Sequence, residues 1–167
     1  MTKQQFIDAV SAEQESLRRF LRGLCAGDGF LADDLAQEAL LKAYLSFERF
    51  EGHSRFSTWL FRIAYNSYFD HLRKSGREDG WQSLDESPKE AGNVEDEPSI
   101  DRKYEHQQLY MAIRQLTVRE QAVILLFYME EKSIKEIMDI LGMPSGTVRS
   151  CLSRGRQHLK QYLLRSI

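Results

Sequence analysis

The 167-residue chain has few of the residue patterns that carry enzymatic or metal chemistry. Its two cysteines, Cys25 and Cys151, lie at opposite ends of the sequence and give no sign of a disulfide framework. The four histidines are scattered without the spacing of a metal-binding motif. The sequence also shows no phosphate-binding glycine loop and no nucleophile–base pair. We therefore expect a protein that is not an enzyme and binds no metal or cofactor.

Long apolar runs and strand-like alternation are also lacking. No apolar run reaches the roughly 18 residues that a membrane span requires, and the N-terminus does not have the apolar centre of a signal peptide. A cytosolic protein is therefore expected. Apolar residues instead recur at helical spacing, as Leu17, Phe20, Leu21 and Leu24 do in a helix over about residues 3–24. The chain is predicted to be all-α.

An acidic stretch divides the predicted helices into two groups. A second helix is predicted to start near Asp33 or Asp34 and a third to cover residues 55–74. Residues 76–97 then contain eight acids and few large apolar groups, too few to form a core. The sequence therefore predicts two small helical domains, residues 1–76 and 98–167, joined by a flexible acidic linker over residues 77–97.

The net charge of −2 conceals an uneven distribution. Residues 1–75 carry 10 basic and 10 acidic side chains, residues 76–108 carry 4 and 10, and residues 109–167 carry 9 and 5. No acidic residue follows Asp139, whereas four arginines and Lys160 do. A basic C-terminal segment of this kind is typical of nucleic-acid binding.

The last fifty residues have the pattern of a helix-turn-helix motif. Capping boxes at Thr117–Glu120 and Ser133–Glu136 mark two helix starts. The segment Gly142–Pro144 predicts a tight turn, and a second helix is expected from Ser145. This arrangement places the second helix of the motif where it can enter a DNA groove.

The outer face of that last helix is the candidate DNA-reading surface. Arginine side chains can bind guanine through two hydrogen bonds in the major groove, and a helix start can bind phosphate. The same residues are also compatible with a solvated basic face on an ordinary helical hairpin. The candidates are Arg149, Ser150, Ser153 and Arg154 for the groove, Thr147 for a phosphate, and Arg156 and Lys160 for the DNA backbone.

These motifs resemble region 4 of the extracytoplasmic-function (ECF) sigma factors of the sigma-70 family. The resemblance is carried by residues 133–137, 146–150 and 154–156, and it extends upstream to residues 116–121. It implies that this part of the chain reads the −35 promoter element. Cys151 departs from the family pattern, in which arginine is frequent, and one DNA contact is expected to be lost there.

The first half resembles region 2 of the same family. The segment 34–39 is similar to region 2.2, which implies that Asp34, Gln37 and Glu38 contact the β′ clamp helices of RNA polymerase. These three residues form one polar strip at i, i+3 and i+4, which on its own is more typical of a solvated helix face.

Residues 50–66 resemble regions 2.3 and 2.4, which implies opening of the −10 element and capture of a flipped base. An aromatic or apolar wall with a few polar atoms suits such a base. Trp59, Phe56 and Leu60 are expected to belong to the core instead. The candidate pocket residues are Phe50, Gly52, His53, Ser54, Ile63 and Asn66.

Together the two half-matches predict a sigma factor that directs core RNA polymerase to promoters. The resemblance implies the β′ clamp helices, the β flap, promoter DNA and an anti-sigma factor as partners, and a monomer when the chain is free. Two alternatives remain at this point. One is a conventional helix-turn-helix regulator that binds duplex DNA without polymerase, and the other is a helical adaptor that binds only proteins.

Overall fold

A computed structural model of the chain describes residues 1–75 and 100–165, with side chains in the second part from residue 107 onward. Within these ranges the chain is helical, as predicted. The predicted linker, residues 77–97, falls outside the described residues.

The first helical region contains three helices. They are α1 (Lys3–Leu24), α2 (Gly29–Ser46) and α3 (Phe56–Lys74), with a short 3-10 turn, Phe47–Arg49, after α2. The predicted stripe of α1, from Leu17 to Leu24, is buried. On α2 the buried face is made mainly of alanines, Ala36, Ala39 and Ala43 among them, so α1 and α3 can approach it closely.

The predicted start of α2 was wrong by about one turn. The helix begins at Gly29, because the Asp28 side chain caps it by accepting a hydrogen bond from the Leu31 amide at 3.2 Å. Asp33 therefore lies inside the helix, where its carboxylate pairs with Arg18 at 3.0 Å.

The second helical region contains four helices. They are α4 (Ile100–Arg114), α5 (Val118–Ile124), α6 (Ile134–Leu141) and α7 (Ser145–Arg165). A π-helical turn, Leu125–Met129, continues α5. Both predicted capping boxes are confirmed. Gly142, with φ of 66°, supplies the left-handed residue that ends α6 and makes the turn into α7.

The capping box at Ser133 gives a direct test of what holds α6 in place. The Ser133 hydroxyl accepts from the Glu136 amide at 3.1 Å, and the Glu136 carboxylate accepts from the Ser133 amide at 3.0 Å. Ser133→Ala should therefore lower the free energy of unfolding by about 1 kcal/mol, whereas Ser133→Thr should preserve it. Urea unfolding measures both, and equal stability of the two variants would contradict this role.

Candidate nucleic-acid and polymerase interfaces

Helix α7, which carries the predicted DNA-reading residues, is held in place by its buried side. Val148, Cys151, Leu152 and Gly155 are buried against the rest of the second region. A Cβ atom at Gly155 would lie 2.8 Å from Ile124 Cγ1, so α7 passes α5 closely only because this residue is glycine. The opposite side of α7 is thereby held outward.

All seven predicted DNA-binding residues of α7 are accessible to solvent: Thr147 is half-buried, while Arg149, Ser150, Ser153, Arg154, Arg156 and Lys160 are exposed. Arg149 Nε donates to the Ser145 hydroxyl at 3.2 Å, which orients the guanidinium along the first turn. The Ser150 hydroxyl donates to the Gly146 carbonyl at 2.9 Å.

Two residues of α7 have contacts within the protein that the sequence did not indicate. Cys151 is only 1% exposed, so it belongs to the core, and the expected loss of a DNA contact at this position stays a prediction. Arg156 donates to the Tyr128 hydroxyl and lies over the rings of Phe127 and Tyr128, 5.7 Å from each centroid. Its guanidinium is therefore held at the edge of α7 that faces the π-helical turn.

The predicted polymerase-binding strip lies on the outer side of α2. Asp34, Gln37 and Glu38 are all exposed, opposite the buried alanines. Glu38 forms an ion pair with Lys42 at 2.9 Å on the same surface. The structure thus places the three residues together, on a rigid helix and in contact with solvent.

Sequence reasoning missed the apolar residues that extend this strip. Phe30, Leu41 and Leu45 are 79%, 58% and 74% exposed. With Asp34 and Glu38 they recur every three or four residues along α2, and this spacing was the signal available in the sequence. Exposed large apolar side chains on one face are typical of a protein-binding surface.

The predicted −10 residues fall into two groups. The Phe50 ring packs against Trp59, with centroids 5.2 Å apart, and against Phe56 at 5.9 Å, at the start of α3. Gly52 and His53 are exposed in the adjacent loop, Ser54 is half-buried, and the His53 ring lies 2.8 Å from the Glu51 carboxylate.

Asn66 lies elsewhere, about 10 Å further along α3 than Trp59, given the rise of a helix. It is exposed and lines a cavity of about 450 Å³ together with Tyr65, Arg119 and Met143. Burial raises the pKa of the neighbouring Tyr65 to about 12, so its phenol stays protonated. Ile63 is half-buried and packs against the core. The structure therefore does not bring Asn66 next to the ring of Phe50.

Among residues 1–75 and 100–165, no group of three or more potential metal-ligating side chains occurs. No helix in these two ranges is long and apolar enough to span a bilayer.

Comparison with known proteins gives consistent matches for both halves. Residues 9–78 match the family "Sigma-70 region 2", and residues 106–159 match "Sigma-70, region 4". The ECF RNA polymerase sigma factor SigW of Bacillus subtilis is 33% identical over 141 residues, which cover 79% of this chain and 75% of that protein. The ECF RNA polymerase sigma-E factor of Escherichia coli K12 is 34% identical over 134 residues, covering 74% and 69%.

Solved structures match over both helical regions at once. The sigma factor RpoE of Bartonella quintana, in complex with the anti-sigma factor NepR, superimposes with a TM-score of 0.75 at 27% identity, covering 96% of this chain and 97% of that one. CnrH, in complex with the cytosolic domain of CnrY, has the same fold, with a TM-score of 0.72 at 19% identity over 99% and 92% of the two chains.

Proposed function

Since this chain belongs to the ECF sigma factors of the sigma-70 family, we propose that it reads the −35 element with α7 and opens the −10 element with the α3 side of region 2. Sigma factors of this family direct RNA polymerase to promoters and are not enzymes themselves. The observation that carries this proposal is the exposed basic surface of α7, held outward by a buried opposite side. The test is transcription in vitro with core polymerase on DNA from upstream of the chain's own operon. Transcripts should require this chain, and their absence on every such template would contradict the proposal.

We place the working boundaries at residues 1–76 for region 2 and 98–167 for region 4, with residues 77–97 as a flexible acidic tether. The two family matches, residues 9–78 and 106–159, leave residues 79–105 between them, which supports a tether in this part of the chain. Two weak DNA contacts on one chain raise each other's effective concentration, so a tether suits a protein that must hold two promoter elements.

The outer surface of α2 is proposed as the contact with the β′ clamp helices. Its centre is Asp34, Gln37 and Glu38, and exposed Leu41 and Leu45 extend it. In protein interfaces, charged groups usually orient the two partners, and apolar side chains supply much of the surface that is buried on binding.

For the β flap we propose the apolar groove of region 4. This groove has a volume of about 460 Å³, and its apolar lining includes Ile113, Ile124 and Leu159. An apolar groove of this kind fits the apolar side of an amphipathic helix. A polymerase lacking the flap should then bind this chain more weakly.

We further propose that the chain acts in the cytoplasm, where its polymerase is, and that it is a monomer when free. The sigma factor RpoE of Bartonella quintana was solved with the anti-sigma factor NepR, and this supports an anti-sigma partner for this chain too. Purification from producing cells, followed by light scattering and mass spectrometry, distinguishes the free monomer from a complex with such a partner.

Asn66 is the residue of α3 whose variant best separates DNA opening from duplex binding. If its amide contacts a flipped −10 base, Asn66→Ala should slow open-complex formation roughly tenfold while −35 binding is unchanged, because unstacking a base costs a few kcal/mol that the protein must offset. A template already mismatched at −10 should restore most of the rate. Permanganate reactivity of the −10 thymines measures the effect, and equal opening of the matched template by both proteins would exclude the contact.

A further inference from the structure

Tyr128 is an exposed aromatic residue directly beside α7. It is 51% exposed and belongs to the π-helical turn Leu125–Met129, which the Glu130 amide closes by donating to the Leu125 carbonyl at 3.1 Å. Leu125 and Leu126 of this turn are buried, so the turn is anchored in the core and Tyr128 lies on its outer side. Single π-helical turns are rare in helices and are frequently found at functional sites.

The aromatic side chains of this turn hold the guanidinium of Arg156. Arg156 Nε donates to the Tyr128 hydroxyl, and the guanidinium lies 5.7 Å from the centres of both the Phe127 and the Tyr128 rings. This distance is within the range of a cation–π interaction. In the described part of the chain no carboxylate forms an ion pair with Arg156. Arg156 is thus fixed by groups that leave its positive charge uncompensated.

The direction of the Arg156–Tyr128 hydrogen bond leaves donors for an acceptor outside the protein. Because the Tyr128 oxygen accepts from Arg156 Nε, its own O–H group can donate elsewhere. The N–H groups on the Nη atoms of Arg156 are further donors. A phosphate group can accept from a hydroxyl and a guanidinium at the same time, and such charge-assisted hydrogen bonds are about twice as strong as neutral ones.

The position of Arg156 on α7 fits the backbone of a bound duplex. Arg156 follows Arg149 by about two helical turns, so the two residues lie within about 20° of each other around α7 and about 10 Å apart along it. The major groove is about 12 Å wide. A helix that brings Arg149 to the base edges therefore brings Arg156, with Tyr128 beside it, to the phosphates at the wall of the groove.

We propose that Tyr128 and Arg156 form a phosphate-binding pair, a site for one DNA phosphate at the edge of the −35 element. In this pair the Tyr128 hydroxyl binds the phosphate and also orients Arg156. This inference rests on the proposed reading of −35 by α7. A phosphate contact carries no sequence information, so the pair adds affinity and fixes the position of α7 on the duplex without selecting bases.

The first test removes the hydroxyl and keeps the ring. Tyr128→Phe should weaken binding of the holoenzyme about 3- to 10-fold, as expected for one hydrogen bond, and by the same factor on cognate and single-substitution −35 elements. Its salt dependence should stay that of wild type because no charge is lost, whereas Arg156→Ala should reduce it by about one counterion. Footprinting at several salt concentrations measures both. Wild-type affinity of Tyr128→Phe, or a loss confined to the cognate element, would overturn the proposal.

The second test asks whether the two residues act as one site. Tyr128→Phe should have little further effect in a chain that already carries Arg156→Ala, because the phosphate contact is then already weakened and there is no guanidinium to orient. The same footprints of the two single variants and the double variant give the comparison. Fully additive losses would mean that Tyr128 and Arg156 act separately, which contradicts the pair.

Two controls identify the source of any loss. Tyr44→Phe makes the same chemical change at another exposed tyrosine, on α2 of region 2, and should bind −35 like wild type. Equal weakening by Tyr44→Phe and Tyr128→Phe would contradict a specific contact. Tyr128 also lines the apolar groove proposed for the β flap, so co-migration with core polymerase is measured for Tyr128→Phe and should be unchanged. Weaker co-migration with unaltered −35 binding would assign Tyr128 to the flap and overturn the proposal.

Arg154→Ala, footprinted beside these variants, separates failure of the pair from failure of the −35 assignment. If Arg154→Ala weakens −35 binding and Tyr128→Phe does not, the phosphate-binding pair is wrong while α7 remains the reader of −35. If neither variant weakens it, the assignment of α7 to −35 is itself wrong.

Discussion

A chain carrying Asp34→Arg together with Glu38→Arg is expected to lose at least 100-fold in affinity for core polymerase while remaining folded. Both carboxylates are exposed on α2 and lie one turn apart, on the side opposite its buried alanines. Their reversal therefore leaves the core untouched but presents a like charge to any basic partner group. Juxtaposed like charges at an interface cost several kcal/mol.

A control of the same charge change separates this surface from a general electrostatic effect. Asp8 and Glu15 are exposed acids of α1, two turns apart on one side of that helix. Asp8→Arg with Glu15→Arg should leave polymerase binding within a few-fold of wild type. Co-migration with core enzyme on a sizing column, titrated over concentration, gives both affinities. Undiminished co-migration of the α2 variant would remove α2 from the polymerase interface.

Local signals were sufficient for most of the helices. The i, i+3, i+4 stripe of α1 predicted its extent, and the Ser133 and Thr117 capping boxes predicted the starts of α6 and α5, because the capping hydrogen bonds join residues only three apart. The start of α2 was placed late because Asp28 stands between Gly27 and Gly29. The two glycines indicated a break, and the cap within it was overlooked.

Contacts between distant segments could not be predicted in this way. The burial of Glu130 depends on Arg19, more than a hundred positions earlier, and nothing near Glu130 in the sequence indicates that partner. Cys151 similarly lies in a helix whose basic character suggested DNA contact, and only the packing of α7 shows it to be core. Phe50 and Asn66 were grouped by family resemblance, whereas the rise of α3 separates them.

For the candidate binding surfaces, the sequence predicted the accessible side of α7 but not the exposed apolar residues of α2. Charge and hydroxyl groups on α7 identified the exposed side correctly, because the buried residues at helical spacing define it. Apolar Phe30, Leu41 and Leu45 were missed on α2, since an apolar residue in a helix is first expected to be core. Their exposure is a property of tertiary packing.

The basic side of α7 should read sequence through two of its arginines. Arg149→Ala and Arg154→Ala are each expected to weaken binding to the cognate −35 element by about 1–3 kcal/mol, roughly 5- to 150-fold. Both side chains are exposed on the first three turns of the helix, which are the turns that enter the groove in a helix-turn-helix motif. Removing a guanidinium that pairs with a guanine edge also removes the preference of the protein for that base. Each variant should therefore bind the cognate −35 element more weakly and also distinguish it less well from an element in which that base pair is substituted.

Lys160 supplies the matched control, because it is a basic residue of the same helix further from the groove-entering end. A phosphate contact carries no sequence information, so Lys160→Ala should weaken cognate and altered elements equally and reduce the salt dependence of binding by about one counterion. Footprinting of holoenzyme on cognate and single-substitution −35 elements, repeated at several salt concentrations, separates the two behaviours. If both arginine variants discriminate between the −35 elements as well as wild type, α7 does not read the bases. If either variant binds all the −35 elements more weakly by the same factor, that arginine contacts the phosphate backbone instead.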